Sequence, residues 1–225
     1  MRKLLLHMAM SADGFVGGPK GEVDWVFVGM DEGATNWTLE RIRSAGVHIM
    51  GRKTFHDMAA YWPYSDHVFA GPMNEIPKIA FSKRKNDPKD RPPGTRAFRD
   101  ARRTSPVRPK PTEAQRRIAA EWMRSVVASG NLLDNITKLK KEPGGYILAH
   151  GGAGFVRSLV ATGQVDEYHL RVHPVFLGRG LSIFSLLSKP LNLHLVSSEK
   201  FGKGVVGQVY RPVGLSGVQL DHRPK

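Results

Sequence analysis

The 225-residue chain is 40% hydrophobic, enough for a buried core, and has no cysteine, which excludes disulfides, thiolate zinc sites and a cysteine nucleophile. It carries 34 Lys and Arg against 20 Asp and Glu, a formal charge of +14, and residues 83–124 hold 14 of those cations with only 5 acids. A local excess of this size points to that segment, rather than the whole surface, as the place to look for a polyanionic partner.

Residues 3–10 read as a strand buried on both faces. The opening "MRKLLLHMAM" imitates a secretion signal, but His7 interrupts the apolar run and charged "SADG" follows. No stretch approaches the roughly twenty apolar residues of a membrane span, so a cytoplasmic protein without membrane contact is expected. "SADGFVGGPKGEVDW" (11–25) is a glycine-rich loop, and 36–45 suggests a helix with Trp37, Leu39, Ile42 and Ala45 on one side, ended by Gly46. "VHIM" is a short strand that runs into "GRKTFHDMAAYW", a strand-to-helix junction. "KIAFS" (78–82) is another strand.

The Pro, Arg and Lys-rich passage 83–111 shows little periodicity and reads as loop. "TEAQRRIAAEWM" looks like a helix capped by Thr112, though Glu113 sits too near to complete a capping box. "RSVVAS" is a strand and "NLLDNITKLKK" a helix with Asn131 as N-cap. "ILAHGGAGFVRSLV" (147–160) is a strand, a glycine loop and a helix. A long strand over 165–178 follows, then strands at 191–199 and 204–211 joined by a turn at Gly202-Lys203-Gly204. Alternating strands and helices that finish in a hairpin make an α/β sheet with an antiparallel edge.

Two junctions have the chemistry of anion sites. Gly151, Gly152 and Gly154 strip the mouth of a helix to bare backbone, where free N–H groups and the dipole favour a phosphate. "GVHIMGRKT" (46–54) almost spells a phosphate loop, but Arg52 intrudes and a strand occupies the spacer. Two cations at a helix start oppose the dipole, so an anion at Arg52, Lys53 and Thr54 would account for them. A ligand with two phosphate positions, such as NADPH, suits both junctions. The dinucleotide fingerprint of doubly wound folds does not fit, for want of its spacing and its later acid.

"MSADGFVGG", "IMGRKTF", "AYWP", "IAFSK", "ILAHGGAGFVRSLVATGQVDEYHLRVHPVFLGRG" and "VYRP" resemble, in order, the dihydrofolate-reductase-like proteins. Within them they are most similar to the group named for the C-terminal reductase domain of the bifunctional riboflavin-biosynthesis deaminase–reductase. The likeness covers most of 1–82 and 122–212. It implies one reductase-like domain over 1–212, interrupted by a basic insertion at 84–120 and followed by a tail at 213–225. It also implies a mostly parallel central sheet flanked by helices, NADPH as hydride donor, and a homodimer. Cofactor contacts are implied for Ala9 and Met10 (nicotinamide), for Gly51, Arg52, Lys53, Thr54, Ser82 and Lys83 (2′-phosphate), and for Gly151, Gly152, Ala153, Gly154 and Phe155 (pyrophosphate).

The substrate signatures differ. His7 stands where the riboflavin reductase domain has a lysine, and His150 where it has a glutamate. Thr35 takes the place of the carboxylate of dihydrofolate reductases. His7, Asp24, Trp25, His150 and His173 are therefore candidate substrate contacts, with His150 and Asp24 the candidates for a proton donor and no metal site expected. The expected activity is NADPH-dependent reduction of a small heterocycle, with 5-amino-6-(5-phosphoribosylamino)uracil as the substrate the resemblance suggests. The alternative is a nucleic-acid or polyanion-binding protein that uses 84–120 on a non-catalytic scaffold.

Overall fold

The computed structural model describes residues 1–83, 94–103 and 110–214. In chain order it contains β1 (Leu4–Ser11), α1 (Asp24–Val28), α2 (Glu32–Arg43), β2 (Ala45–Gly51), α3 (Arg52–Ala59), α4 (Ala70–Glu75), β3 (Lys78–Ser82), α5 (Arg96–Arg103), α6 (Glu113–Met123), β4 (Val126–Ser129), α7 (Leu132–Lys141), β5 (Tyr146–Ala149), α8 (Ala153–Ala161), β6 (Glu167–His173), β7 (Leu193–Lys200) and β8 (Val206–Pro212). The strands make one eight-stranded sheet ordered β4-β3-β2-β5-β1-β6-β8-β7. Every pairing from β4 to β6 is parallel, and β8 runs antiparallel to both β6 and β7. The expected α/β architecture with an antiparallel C-terminal pair is therefore present.

The apolar run of β1 is explained by burial on both sides. Leu4, Leu6 and Met10 face a cluster with Ile136 and Leu139 of α7 and Val156 and Leu159 of α8. Leu5 faces the opposite cluster, with Ile42 of α2, Phe55 of α3 and Trp122 of α6. Trp122 is fully buried and donates its indole N–H to Asn74 Oδ1 at 2.8 Å, and Asn74 Nδ2 donates in turn to the Trp62 carbonyl at 3.1 Å. Trp122 is thus core, while Trp62 belongs both to the core and to the wall of a cavity.

Several boundaries differ from expectation for local reasons. α2 starts at Glu32 because the Asp31 carboxylate accepts from the Ala34 N–H at 2.8 Å, and it ends before Ala45, which opens β2. The capping box of α6 does form, with Gln115 rather than Glu113 as the partner of Thr112. β6 stops at His173 because Pro174 has no N–H to continue the ladder. A helix, α5, stands inside the proline-rich passage; the Thr95 hydroxyl caps it by accepting from Phe98 N. Residues 84–93, 104–109 and 215–225, which hold part of the basic insertion and most of the tail, lie outside the described residues.

Candidate active site

The two strand-to-helix junctions meet because β2 and β5 pair in parallel, so α3 and α8 start at the same carboxyl edge of the sheet. That edge is where open α/β sheets bind ligands. The junctions fit into each other through their glycines. A Cβ on Gly51 would stand 2.9 Å from Cβ of Phe155, and one on Gly152 would stand 2.7 Å from the Thr54 hydroxyl. Gly152 also has φ +86°, a conformation that side chains resist. Two of the motif glycines are therefore required by the packing of one helix mouth against the other.

Gly151 and Gly154 are not. A Cβ on Gly154 would meet nothing within 4 Å, and one on Gly151 would reach only the Met8 methyl at 4.0 Å. Neither helix has a side chain capping its N-terminus or an acid in its first turn. Their first N–H groups, with the positive ends of both dipoles, face the same space.

That space is a cavity of about 1130 Å³. Its inner wall is made by Met8 of β1, Thr35 of α2, Lys53 and Thr54 of α3, the stretch Gly151–Ala153, and Arg171 of β6. Loop residues Val16, Gly17 and Pro19–Gly21, with Val23, Val26 and Phe27, form one rim. Tyr61, Trp62, Tyr64 and Phe69 form an aromatic side. The α5 region closes the remainder through Thr95, Arg96, Phe98 and Ala101, joined by Gln115. A ligand pocket typically measures about 300–1,000 Å³, so this one has room for more than one small molecule.

Of the residues named from the sequence, Lys53, Thr54, Gly151, Gly152 and Ala153 line the cavity. Gly51, Arg52, Gly154 and Phe155 belong to the same two helix starts without lining it. Ser82 and Lys83 end β3 outside the wall. Met8 lines the cavity in place of Ala9 and Met10; Met10 shares its sheet face but lies one step further along β1 in the core, where it is 6% exposed.

The expected substrate residues His7, Asp24, Trp25, His150 and His173 are not among those that line the cavity. Asp24 opens α1 on its exposed side, because Val23, Val26 and Phe27 are the ones at helical spacing toward the cavity. Trp25 stands edge-on to His173, at 5.2 Å between centroids, and both are outside the wall. His7 is buried against Trp37. His150 is buried, with Nε2 at 2.6 Å from Nδ1 of His48. Burial pushes it down to about 4, so it is neutral at ordinary pH and turned away from the cavity. Burial likewise takes His173 down to about 4 and holds His7 and His48 well below the usual histidine range. Asp13 accepts from Ser11 Oγ at 2.6 Å and from the N–H groups of Leu177 and Gly178 at 3.0 and 2.7 Å, so it joins two loops.

Residues the sequence reading missed include Asp57, Arg171 and the α5 side chains. Asp57 lines the cavity and accepts hydrogen bonds from Thr95; burial raises its carboxyl above the usual range. Arg171 is treated below. Among the described residues, no group of three or more His, Cys, Asp or Glu could hold a metal ion, and no helix is long and apolar enough to cross a membrane.

Comparison with known proteins agrees with this geometry. The uncharacterized protein YyaP of Bacillus subtilis (strain 168) is 31% identical over 209 residues, covering 93% of this chain and 94% of its own. A pyrimidine reductase-like protein of Corynebacterium diphtheriae superimposes with a TM-score of 0.57 at 16% identity, over 94% of this chain and 92% of its own. Dihydrofolate reductase of Enterococcus faecalis, in a complex with NADP(H), does so with a TM-score of 0.53 at 13% identity, over 94% and 96%. Both show a dihydrofolate-reductase-like fold. The family model of the RibD C-terminal domain matches residues 2–207, and the chain belongs to that family.

Proposed function

We propose that this chain is an NADPH-dependent reductase that reduces a small, planar heterocycle. Membership of the RibD C-terminal domain family supports an oxidoreductase related to the riboflavin-pathway reductases. The observation that carries the reading is the convergence of two uncapped helix starts, α3 and α8, on one wall of a cavity large enough for cofactor and substrate together.

The residues present fit a dinucleotide phosphate. Lys53 and Thr54 offer a cation and a hydroxyl beside the N-terminus of α3. Gly154 and Gly151 leave the α8 mouth bare where no protein atom requires it, and a pyrophosphate in close contact with the main chain does. Bound NADPH supplies the hydride. The chain's own task is to orient the acceptor beside the strand ends of β1, β5 and β6 and to exclude water with the loop, aromatic and α5 walls. The substrate suggested by resemblance, 5-amino-6-(5-phosphoribosylamino)uracil, has less support, because His7 and His150 lie outside the cavity wall.

Titration with NADPH and NADH, followed by nucleotide fluorescence, tests this reading. Wild type is expected to bind NADPH more tightly than NADH, and Lys53→Ala to lose NADPH selectively. Failure to bind either nucleotide would overturn it.

A further inference from the structure

Arg171 is a guanidinium without an acid. It lies on β6 opposite Ala9 of β1 and lines the inner wall of the cavity. Its Nη1 donates to the thioether of Met30 at 2.7 Å, a weak acceptor, and its buried Nε finds no acceptor. No carboxylate among the described residues pairs with it. Glu167 shares its strand face but is committed to His169, Lys3 and Arg211. Asp57 is committed to Thr95. The neighbouring histidines, His7 and His173, are held neutral by burial and by Arg171 itself.

Burial lowers Arg171 only to about 10, so it stays charged at neutral pH. A charge withdrawn from water without a partner is costly, and a protein that keeps one has a use for an anion there. The surroundings narrow the class of anion. Met30, which accepts from Nη1, gives the adjacent wall an apolar surface, Met8 and Leu181 line the same cavity, and the residue contributed by α2 is the uncharged Thr35. Apolar walls with one fixed guanidinium fork match a ring whose edge carries an anionic oxygen pair.

We propose that Arg171 is the specificity-determining contact for substrate, and that the substrate is a heteroaromatic ring bearing a carboxylate or an equivalent oxyanion. This rests on the reductase reading for the word substrate; the anion site itself rests on Arg171 alone. The guanidinium fixes the ring's anionic edge against β6, which leaves the opposite edge toward Gly151–Ala153.

Isothermal titration with orotate against uracil, and with 6-carboxypterin against pterin, tests the assignment with and without NADPH. Wild type is expected to prefer each carboxylate by about tenfold or more, the effect of a charge-assisted hydrogen bond. Arg171→Met is expected to lose the preference, and Arg171→Lys to keep part of it. Because the methionine removes an unpaired charge, that variant is expected to melt no lower than wild type. Two results overturn the proposal: no preference in wild type, whether both members of a pair bind or neither does, or a preference that survives in Arg171→Met. A wild type that prefers carboxylates yet binds neither nucleotide would overturn the reductase reading and leave the anion site standing.

Discussion

His150 Nε2 and His48 Nδ1 lie 2.6 Å apart, the buried side chains of adjacent parallel strands. Register brings this about: His48 stands opposite Leu148, so the next residue on that face of the chain after β5 is His150. One ring must donate and the other accept, and the pair is neutral. Its cost appears on acidification. An unfolded histidine titrates at 6.5, whereas His150 in the fold does so at about 4. Between those values the unfolded chain holds a proton that the folded chain refuses. The histidine contribution to stability is therefore flat above pH 6.5 and falls below it, by about 1.4 kcal/mol per pH unit for each such histidine. His7, His48 and His173 act in the same direction. Urea denaturation across this range should show the decline, and His150→Gln, which keeps a bond to His48, should make it shallower.

Glu167 responds to acid over a different window. Its carboxylate accepts from His169 Nε2 at 2.9 Å, from Lys3 at 3.3 Å and from Arg211 at 3.0 Å. The His169 bond is the main cause that holds it down to about 2, below 4.5. Its contribution is complete above pH 4.5 and disappears toward pH 2. Glu167→Gln should cost about 1–3 kcal/mol at neutral pH, the worth of a hydrogen bond to a charged group, measured by urea denaturation.

The glycines of the α8 mouth separate packing from binding. Gly152→Ala should destabilise the free protein, since its Cβ would strike Thr54 and its φ is +86°. Gly154→Ala should leave the melting temperature unchanged or raise it slightly, because alanine favours the helix and meets no atom within 4 Å. In the same variant NADPH should bind several-fold more weakly. Unchanged NADPH affinity in Gly154→Ala would remove the pyrophosphate from that site.

Thr95 ties the α5 wall to Asp57 of α3. Thr95 bonds Asp57 through both hydroxyl and N–H, and its hydroxyl also caps the helix. Thr95→Val should remove cap and tether together, at a local cost of about 1–2 kcal/mol. Trypsin should then cut faster at Arg96, Arg99 and Arg103, with little change in the global melting temperature.

The strands of the parallel sheet and both helix mouths were legible because buried runs such as Leu4–Leu6 and glycine stops such as Gly51 mark them in one dimension. α1 and α5 were not, since Asp24–Val28 is a turn or so long and Arg96–Arg103, with Ala97, Phe98 and Ala101 as its only apolar residues, is too short for their spacing to stand out in a proline-rich passage. Arg171 was invisible for another reason. β6 is covered on both faces, so no alternation singles out the one residue at its carboxyl end that reaches the cavity. His7 and His150 stand out in the sequence as rare residues in apolar strands, and in the fold both are buried, one against Trp37 and the other against His48. Gln115 was overlooked because attention went to the acid, although an amide three residues after the cap does the same work.

The wall that α5 supplies comes from a segment outside every strand pairing of the described residues. Changes there can alter which rings are admitted while the sheet and both helix mouths stay as they are. Breadth or narrowness of substrate choice is then set by a part that the chain can revise at little risk to its folding.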